Sequence, residues 1–91
     1  MNVIGIDISK AKLDCAQLDE NNKLKVKVFP NSPVGWAGLV EWSLKNTGLS
    51  TGDLHFVMEA TGVYHEHLAA YLYGQAAKVS VANPAQVKFY A

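Results

Sequence analysis

The sequence predicts an α/β fold in which a mixed sheet carries packed helices. Two observations lead to this prediction. The first third of the chain has short apolar or alternating segments, typical of strands, with only turns between them. After residue 32, segments with helical spacing alternate with short apolar runs. The predicted order is therefore β-β-β-α-β-α-β, followed by the start of a further helix.

The first three strands are predicted to form an antiparallel meander. Residues 2–8 ("NVIGIDI") are almost continuously apolar, which is typical of a central strand buried on both faces. Residues 13–19 alternate loosely and form the second strand, and "ENN" supplies a turn. Residues 23–29 ("KLKVKVF") alternate strictly, with lysines on one face, so the third strand is expected at a sheet edge.

The first helix is predicted between Ser32 and Gly48. Ser32 suits the N-cap, Pro33 the first helical position, and Gly48 the position after the last turn. Apolar residues recur between these ends at helical spacing: Trp36, Leu39, Val40 and Leu44.

Strand and helix then alternate to the end of the sequence. After a loop, residues 54–59 ("LHFVME") predict a buried fourth strand. Residues 62–74 predict a second helix that ends at Gly74, and residues 78–83 predict the fifth strand. Pro84 is expected to open another helix.

Composition restricts the possible functions. The 91 residues suit one domain, and the formal net charge is zero. All eight basic residues are lysines, without the basic excess expected of an autonomous DNA-binding domain. A metal-dependent nuclease site stays possible, because such a site is acidic and takes its positive charge from the metal.

The expected location is a reducing cytoplasm. Cys15 is the single cysteine, so an internal disulfide is excluded, and its place in a strand suggests a small buried side chain. No apolar run approaches the roughly 20 residues that span a bilayer. The first ten residues lack the features of a signal peptide.

Two carboxylates stand at strand ends. Asp7 lies near the end of the first strand and Glu59 at the end of the fourth. If these strands are parallel neighbours, about 4.8 Å apart, the two side chains meet at the crevice where open α/β sheets bind ligands. A divalent cation would remove their mutual repulsion, and carboxylate oxygens favour Mg²⁺ or Mn²⁺. The alternative is that each is a solvated residue or a charge at a helix terminus.

Other polar residues are interpreted as surface or packing residues. Asp14 and Asp19 are expected to face solvent. The histidines of "HEH" (65–67) cannot share one ion on a helix, because positions i and i+2 point about 200° apart. His55 is expected to be a packing or surface residue. The lysines of residues 23–27 favour a solubilising face over phosphate contacts.

Three segments resemble a known family. They are "GIDISKAKLD" (5–14), "MEATGVYHEHLAAYL" (58–72) and "AKVSVANPAQVKFYA" (77–91), and "E-A-T-G-x-Y" is the most specific part. Together they resemble the N-terminal nuclease domain of the DEDD transposases of the one-ten insertion-sequence group, relatives of the Piv-type DNA invertases. The resemblance implies a RuvC-like, that is ribonuclease-H-like, fold over residues 1–91.

The resemblance also implies an activity. Family members use four acids, Asp-Glu-Asp-Asp, to bind Mg²⁺, and by motif the first two correspond to Asp7 and Glu59. The other two acids and a nucleophilic serine belong to later segments, so we expect a longer protein and a weakly Mg²⁺-binding, inactive fragment. The implied partners are DNA (element ends and target), an element-encoded guide RNA in some members, and further copies in a homo-oligomer.

Six more residues receive expected roles. Four are predicted nucleic-acid contacts: Ser9, Lys10, Thr61 and Lys88. Thr61 and Gly62 are expected to make the turn between strand and helix, where Thr61 would cap the helix and Gly62 would allow close backbone approach. The ring of Tyr64 is expected to pack under the site.

Two alternatives stay open. The first is a fragment of the actin-like and sugar-kinase ATPase group, which also begins with a meander and an aspartate on the first strand. Those proteins have a glycine-rich phosphate turn after that strand, whereas "DISKAKLD" contains no glycine. The second is a non-catalytic assembly module, in which Asp7 and Glu59 would be replaceable.

Overall fold

The computed structural model describes residues 2–18, 21, 23–59 and 63–82. Within them, five strands and two α-helices follow one another in the predicted order. The elements are β1 (Asn2–Ile8), β2 (Lys12–Leu18), β3 (Leu24–Pro30), α1 (Pro33–Thr47), β4 (Leu54–Glu59), α2 (Glu66–Gly74) and β5 (Lys78–Ala82). A 3₁₀ turn, Thr51–Asp53, lies in the loop between α1 and β4. Neither described helix is long and apolar enough to cross a membrane.

The five strands form one mixed sheet in the order β3-β2-β1-β4-β5. The meander β1-β2-β3 is antiparallel, and β4 pairs in parallel with β1 on one side and with β5 on the other. The predicted adjacency of the first and fourth strands is therefore confirmed, as is the predicted α/β class with a mixed sheet. The edge position of β3 is confirmed too.

Both described helices contribute to one hydrophobic core on one face of the sheet, which we call the covered face. The strands contribute Ile4, Ile6 and Ile8 from β1, Leu13 and Cys15 from β2, and Leu54, Phe56 and Met58 from β4. The helices contribute Leu39, Val40, Leu68 and Leu72. Burial of these apolar side chains is the main force that holds helices to sheet.

The opposite face of the sheet, which we call the open face, carries Val3, Gly5 and Asp7 of β1. Val3 is 42% exposed and Asp7 is exposed. The prediction that β1 is buried on both faces was therefore wrong. Its apolar run is continuous because small or aliphatic residues also occupy the open face, and the described helices pack on the other one.

The edge strand β3 adds to the open face. Leu24, Val26 and Val28 lie there, and each is more than half exposed. The lysines between them are on the other face, where Lys27 Nζ lies 5.4 Å from the centroid of the Phe29 ring. The predicted alternation is thus present, with the lysines on the helix side.

The ends of α1 are as predicted, whereas α2 begins later. Ser32 is the N-cap of α1, although its side chain makes no capping hydrogen bond. Gly48 follows α1 with a φ of 68° and donates its N–H to the Leu44 carbonyl, a left-handed conformation that suits glycine. The second helix starts at Glu66, after the N-cap His65, instead of near residue 62.

Candidate metal site on the open face of the sheet

Asp7 and Glu59 are paired across the two central strands. They are the last register pair between β1 and β4, and both side chains are exposed on the open face. Neighbouring strands are about 4.8 Å apart, so the carboxylates stand side by side. The structure thus brings together the two predicted acids, while their role as metal ligands stays a prediction.

Asp14 extends this pair across a third strand. It is the register partner of Asp7 on β2, so Asp14, Asp7 and Glu59 form a line across the sheet, which we call the acid row. Asp14 faces solvent as predicted, but its place beside Asp7 was missed. Lys12 Nζ lies 3.8 Å from Asp14 Oδ2 in an exposed pair, which contributes little to stability.

The length of the turn after β1 determines which residue of β2 lies opposite Asp7. Ser9 N donates to the Lys12 carbonyl over 3.0 Å, which closes a four-residue turn. In an antiparallel hairpin the turn fixes the register, so a Ser9–Lys12 turn places Asp7 opposite Asp14.

A shallow cavity lies against the acid row. It has a volume of about 410 Å³ and is lined by Gly5, Ile6, Asp7, Asp14, Ala16, Val57, Glu59 and Ala82. Small residues create this space: a Cβ on Gly5 would meet nothing nearer than the Ala16 carbonyl oxygen, at 3.9 Å. A second depression of about 480 Å³ continues from Asp14 over β2 and β3.

The predicted nucleic-acid contacts are only partly described. The Ser9 hydroxyl donates to the Lys12 carbonyl over 3.1 Å and accepts from the Lys12 N–H, so it stabilises the turn. Lys10 is exposed in the same turn. Thr61, Gly62 and Lys88 lie outside the described residues. The contacts to nucleic acid therefore stay predictions.

Tyr64 lies in the turn before α2, because that helix starts only at Glu66. The residue is 46% exposed, and packing of its ring under the site stays a prediction. Its backbone has a defined contact, because the Tyr64 carbonyl accepts a 3.1 Å hydrogen bond from Asn31 Nδ2.

His55 and His67 make side-chain contacts, and Cys15 is buried. The His67 ring stacks on Trp36, with 6.4 Å between centroids, and His55 Nε2 lies 2.7 Å from Ser80 Oγ. Burial, reinforced by the Asp14 carboxylate, raises the pKa of the Cys15 thiol to about 12. Such a thiol is inert at neutral pH.

The carboxylate oxygens of the acid row are suitable ligands for a divalent cation, but they form only part of a ligand set. Carboxylate oxygens on rigid strands, facing a cavity open to solvent, suit Mg²⁺ or Mn²⁺. Within the described ranges, no group of three or more His, Cys, Asp or Glu side chains is arranged to hold a metal ion. Asp7 and Glu59 therefore offer a two-carboxylate platform that needs further ligands.

Comparison with known proteins gives a family match. The family model of DEDD transposases of the one-ten insertion-sequence group, described as "Transposase", matches residues 4–91. Pilin gene-inverting proteins of Moraxella lacunata and Moraxella bovis are each 35% identical over 88 residues, which is 97% of this chain and 27% of theirs. The chain thus spans about a quarter of the length of these relatives.

One solved structure is also similar. The RuvC structure from Thermus thermophilus gives a TM-score of 0.49 at 22% sequence identity, over 97% of this chain and 67% of RuvC.

Proposed function

Because this chain belongs to the DEDD transposase family, we propose that it supplies two metal-binding carboxylates, Asp7 and Glu59, to an enzyme that recombines DNA. The observation that carries the proposal is the register pair of these two acids on the open face, beside a cavity. The match to a transposase family does not favour the ATPase alternative.

In this proposal the strands hold the carboxylates in place. Asp7 and Glu59 sit on β1 and β4, so their Cα positions are fixed by the sheet and little ordering remains when an ion binds. Mg²⁺ or Mn²⁺ held there would supply activation of the attacking group and stabilisation of the leaving oxygen in phosphodiester cleavage. Gly5 and Ala16 leave room beside the acids for a phosphodiester to approach.

The remaining parts of the enzyme are proposed to lie in segments other than these 91 residues. Those parts are two further acids, a serine nucleophile, and contacts to an element-encoded RNA and to other copies of the protein. DNA is the proposed substrate. Since the net charge is zero, most of the affinity for DNA would come from outside this domain. Ser9, Lys10, Thr61 and Lys88 are proposed as local contacts.

The test replaces each carboxylate by its neutral isostere in the intact protein. Asp7→Asn and Glu59→Gln are each expected to lower Mg²⁺-dependent recombination at least about 100-fold, because a ligand to the cation is lost. The matched control is Glu41→Gln, an exposed acid on α1. Circular dichroism should show the same fold in all three variants.

The outcomes separate the alternatives. Recombination by Asp7→Asn at the wild-type rate would overturn the proposal and favour the assembly module, provided that partner binding is unchanged. The 91-residue chain alone is expected to show no metal-dependent nicking, because it offers two of the four proposed acids. Robust nicking that Asp7→Ala abolishes would contradict that expectation.

A further inference from the structure

The side chain of Asn31 joins the two loops that follow the two carboxylates. Its Nδ2 donates to the Ser9 carbonyl over 3.0 Å and to the Tyr64 carbonyl over 3.1 Å. Ser9 follows Asp7 at the end of β1, and Tyr64 follows Glu59 beyond the end of β4. A primary amide has two N–H donors, and Asn31 uses one for each loop.

Asn31 is itself held in one orientation. Its backbone N–H donates to the Ala11 carbonyl over 3.0 Å, and its Oδ1 accepts from Trp36 Nε1 over 2.9 Å. An indole nitrogen only donates and a peptide carbonyl only accepts, so the partners themselves fix which end of the amide is oxygen. The amide thus makes three mutually consistent hydrogen bonds.

The position of Asn31 in the fold is equally constrained. It lies between the end of β3 and the first turn of α1, which approach each other closely at Gly35. A Cβ at Gly35 would lie 1.8 Å from the Pro30 carbonyl oxygen, so this approach requires glycine. Trp36 also contacts α2, through Tyr71 at 5.8 Å between ring centroids and through His67. The Asn31 side chain is therefore bonded to α1 through Trp36, and Trp36 in turn contacts α2.

The β1–β4 ladder ends where the carboxylates are. Asp7 and Glu59 form its last register pair, and the end of a ladder is where strands separate most easily. Beyond this pair, within the described ranges, the segment after β1 and the segment after β4 are connected by the Asn31 amide. It donates hydrogen bonds to Ser9 in the first segment and to Tyr64 in the second. This tie limits how far the two strand ends can move apart.

We propose that Asn31 is a positioning residue, which sets the spacing of Asp7 and Glu59 by joining the loops after β1 and β4. The inference rests on the proposed function of these carboxylates as cation ligands. Asn31 acts through the two backbone carbonyls that it binds. Loss of its two N–H donors is expected to leave the sheet intact and to weaken cation binding.

The experiment measures Mn²⁺ binding to the intact protein by isothermal titration calorimetry, without DNA, and beside it the Mn²⁺ concentration that gives half-maximal DNA cleavage. Asn31→Leu removes all three side-chain hydrogen bonds, whereas Asn31→Asp keeps an acceptor for Trp36, replaces the two donors by an oxygen that cannot donate, and adds a negative charge. Both are expected to raise the half-maximal Mn²⁺ concentration about tenfold, from the typical strength of two hydrogen bonds. The matched control, Asn46→Leu on α1, is expected to leave it unchanged.

This readout separates positioning from stability. A purely structural role would lower the fraction of active protein, and hence the maximal rate, without changing the half-maximal Mn²⁺ concentration. An unchanged concentration in Asn31→Asp, with Asp7→Asn inactive, would overturn the inference and leave the proposed function standing. Wild-type activity in Asp7→Asn would overturn both. If Asn31→Leu does not fold, Asn31→Asp decides, because it keeps the contact with Trp36.

Discussion

The two faces of the sheet differ in what they contribute. On the covered face, the strand residues Ile4, Leu13 and Phe56 are wholly inaccessible to solvent. On the open face, the same strands carry the acid row, glycine and alanine, and partly exposed valines. One face therefore holds the domain together, and the other carries the candidate ligand residues, so substitutions on the two faces should have separable effects.

The largest difference is expected between neighbours on β4. Phe56 is fully buried on the covered face, and Val57 is half-buried on the open face. Phe56→Ala should lower the free energy of unfolding by about 3–5 kcal/mol, because it leaves a cavity in the core of a small domain. Val57→Ala should cost about 1 kcal/mol or less. Urea denaturation of both variants measures the difference, and equal costs would mean that the faces are not distinct.

The sequence predicted this arrangement in part. The order of elements, the adjacency of β1 and β4, and the edge position of β3 follow from periodicity and from the rules that join strands. Periodicity does not predict which face of the sheet the helices cover, because it identifies apolar positions and not the elements that pack on them. In β1 and β3, aliphatic residues occur on the open face as well, and the prediction of a doubly buried β1 failed for that reason.

The candidate site was predictable to a similar degree. Asp7 and Glu59 could be placed together, since the ends of adjacent parallel strands meet. Asp14 required the exact length of the turn after β1. Asn31 could not be found from local sequence, because its partners Ser9 and Tyr64 are 22 and 33 residues away and contribute only backbone carbonyls.

The second prediction tests how closely α1 approaches the sheet. Gly35→Ala should cost about 1–3 kcal/mol or more, because its Cβ would collide with the backbone of Pro30 and force α1 away from β3. Gly38→Ala is the matched control and should cost less. Its Cβ would lie 3.2 Å from the Phe29 ring, so a side chain and not the backbone would have to move. Alanine also favours the helix over glycine by up to about 1 kcal/mol. Thermal denaturation of both variants checks this. A mild effect of Gly35→Ala would show that the first turn of α1 is loosely packed.

The third prediction uses the buried thiol of the covered face. The pKa of Cys15 is raised from 9.0 to about 12, so the folded state keeps the proton that the unfolded state loses above pH 9. The contribution of the protonated thiol to the free energy of unfolding is fully present below pH 9 and is lost as the pH rises towards 12. Between pH 7 and pH 10 the wild-type protein should therefore lose on the order of 1 kcal/mol more of its free energy of unfolding than Cys15→Ala does. Urea denaturation at both pH values measures it, and identical pH dependence in the two proteins would contradict burial of the thiol.

The smallest effect on stability, and an informative one for function, is expected at Gly5. A Cβ there would make only an ordinary contact, 3.9 Å from the Ala16 carbonyl oxygen, and β-branched residues favour strands, so the free energy of unfolding should change by less than about 1 kcal/mol. The new side chain would nevertheless occupy the cavity beside Asp7 and Glu59, where the phosphodiester is proposed to approach. Recombination by the intact protein should fall on the order of tenfold or more, since small displacements of a reacting group are costly.

The control for Gly5→Val is Val3→Ala on the same face of β1. Val3 does not line the cavity, so its truncation should leave recombination unchanged. If Gly5→Val folds normally and recombines DNA at the wild-type rate, the substrate does not enter this cavity, and the open face serves another purpose than catalysis. If recombination is lost while the fold persists, the two faces have separate roles: the covered face determines whether the chain folds, and the open face determines whether it acts on DNA.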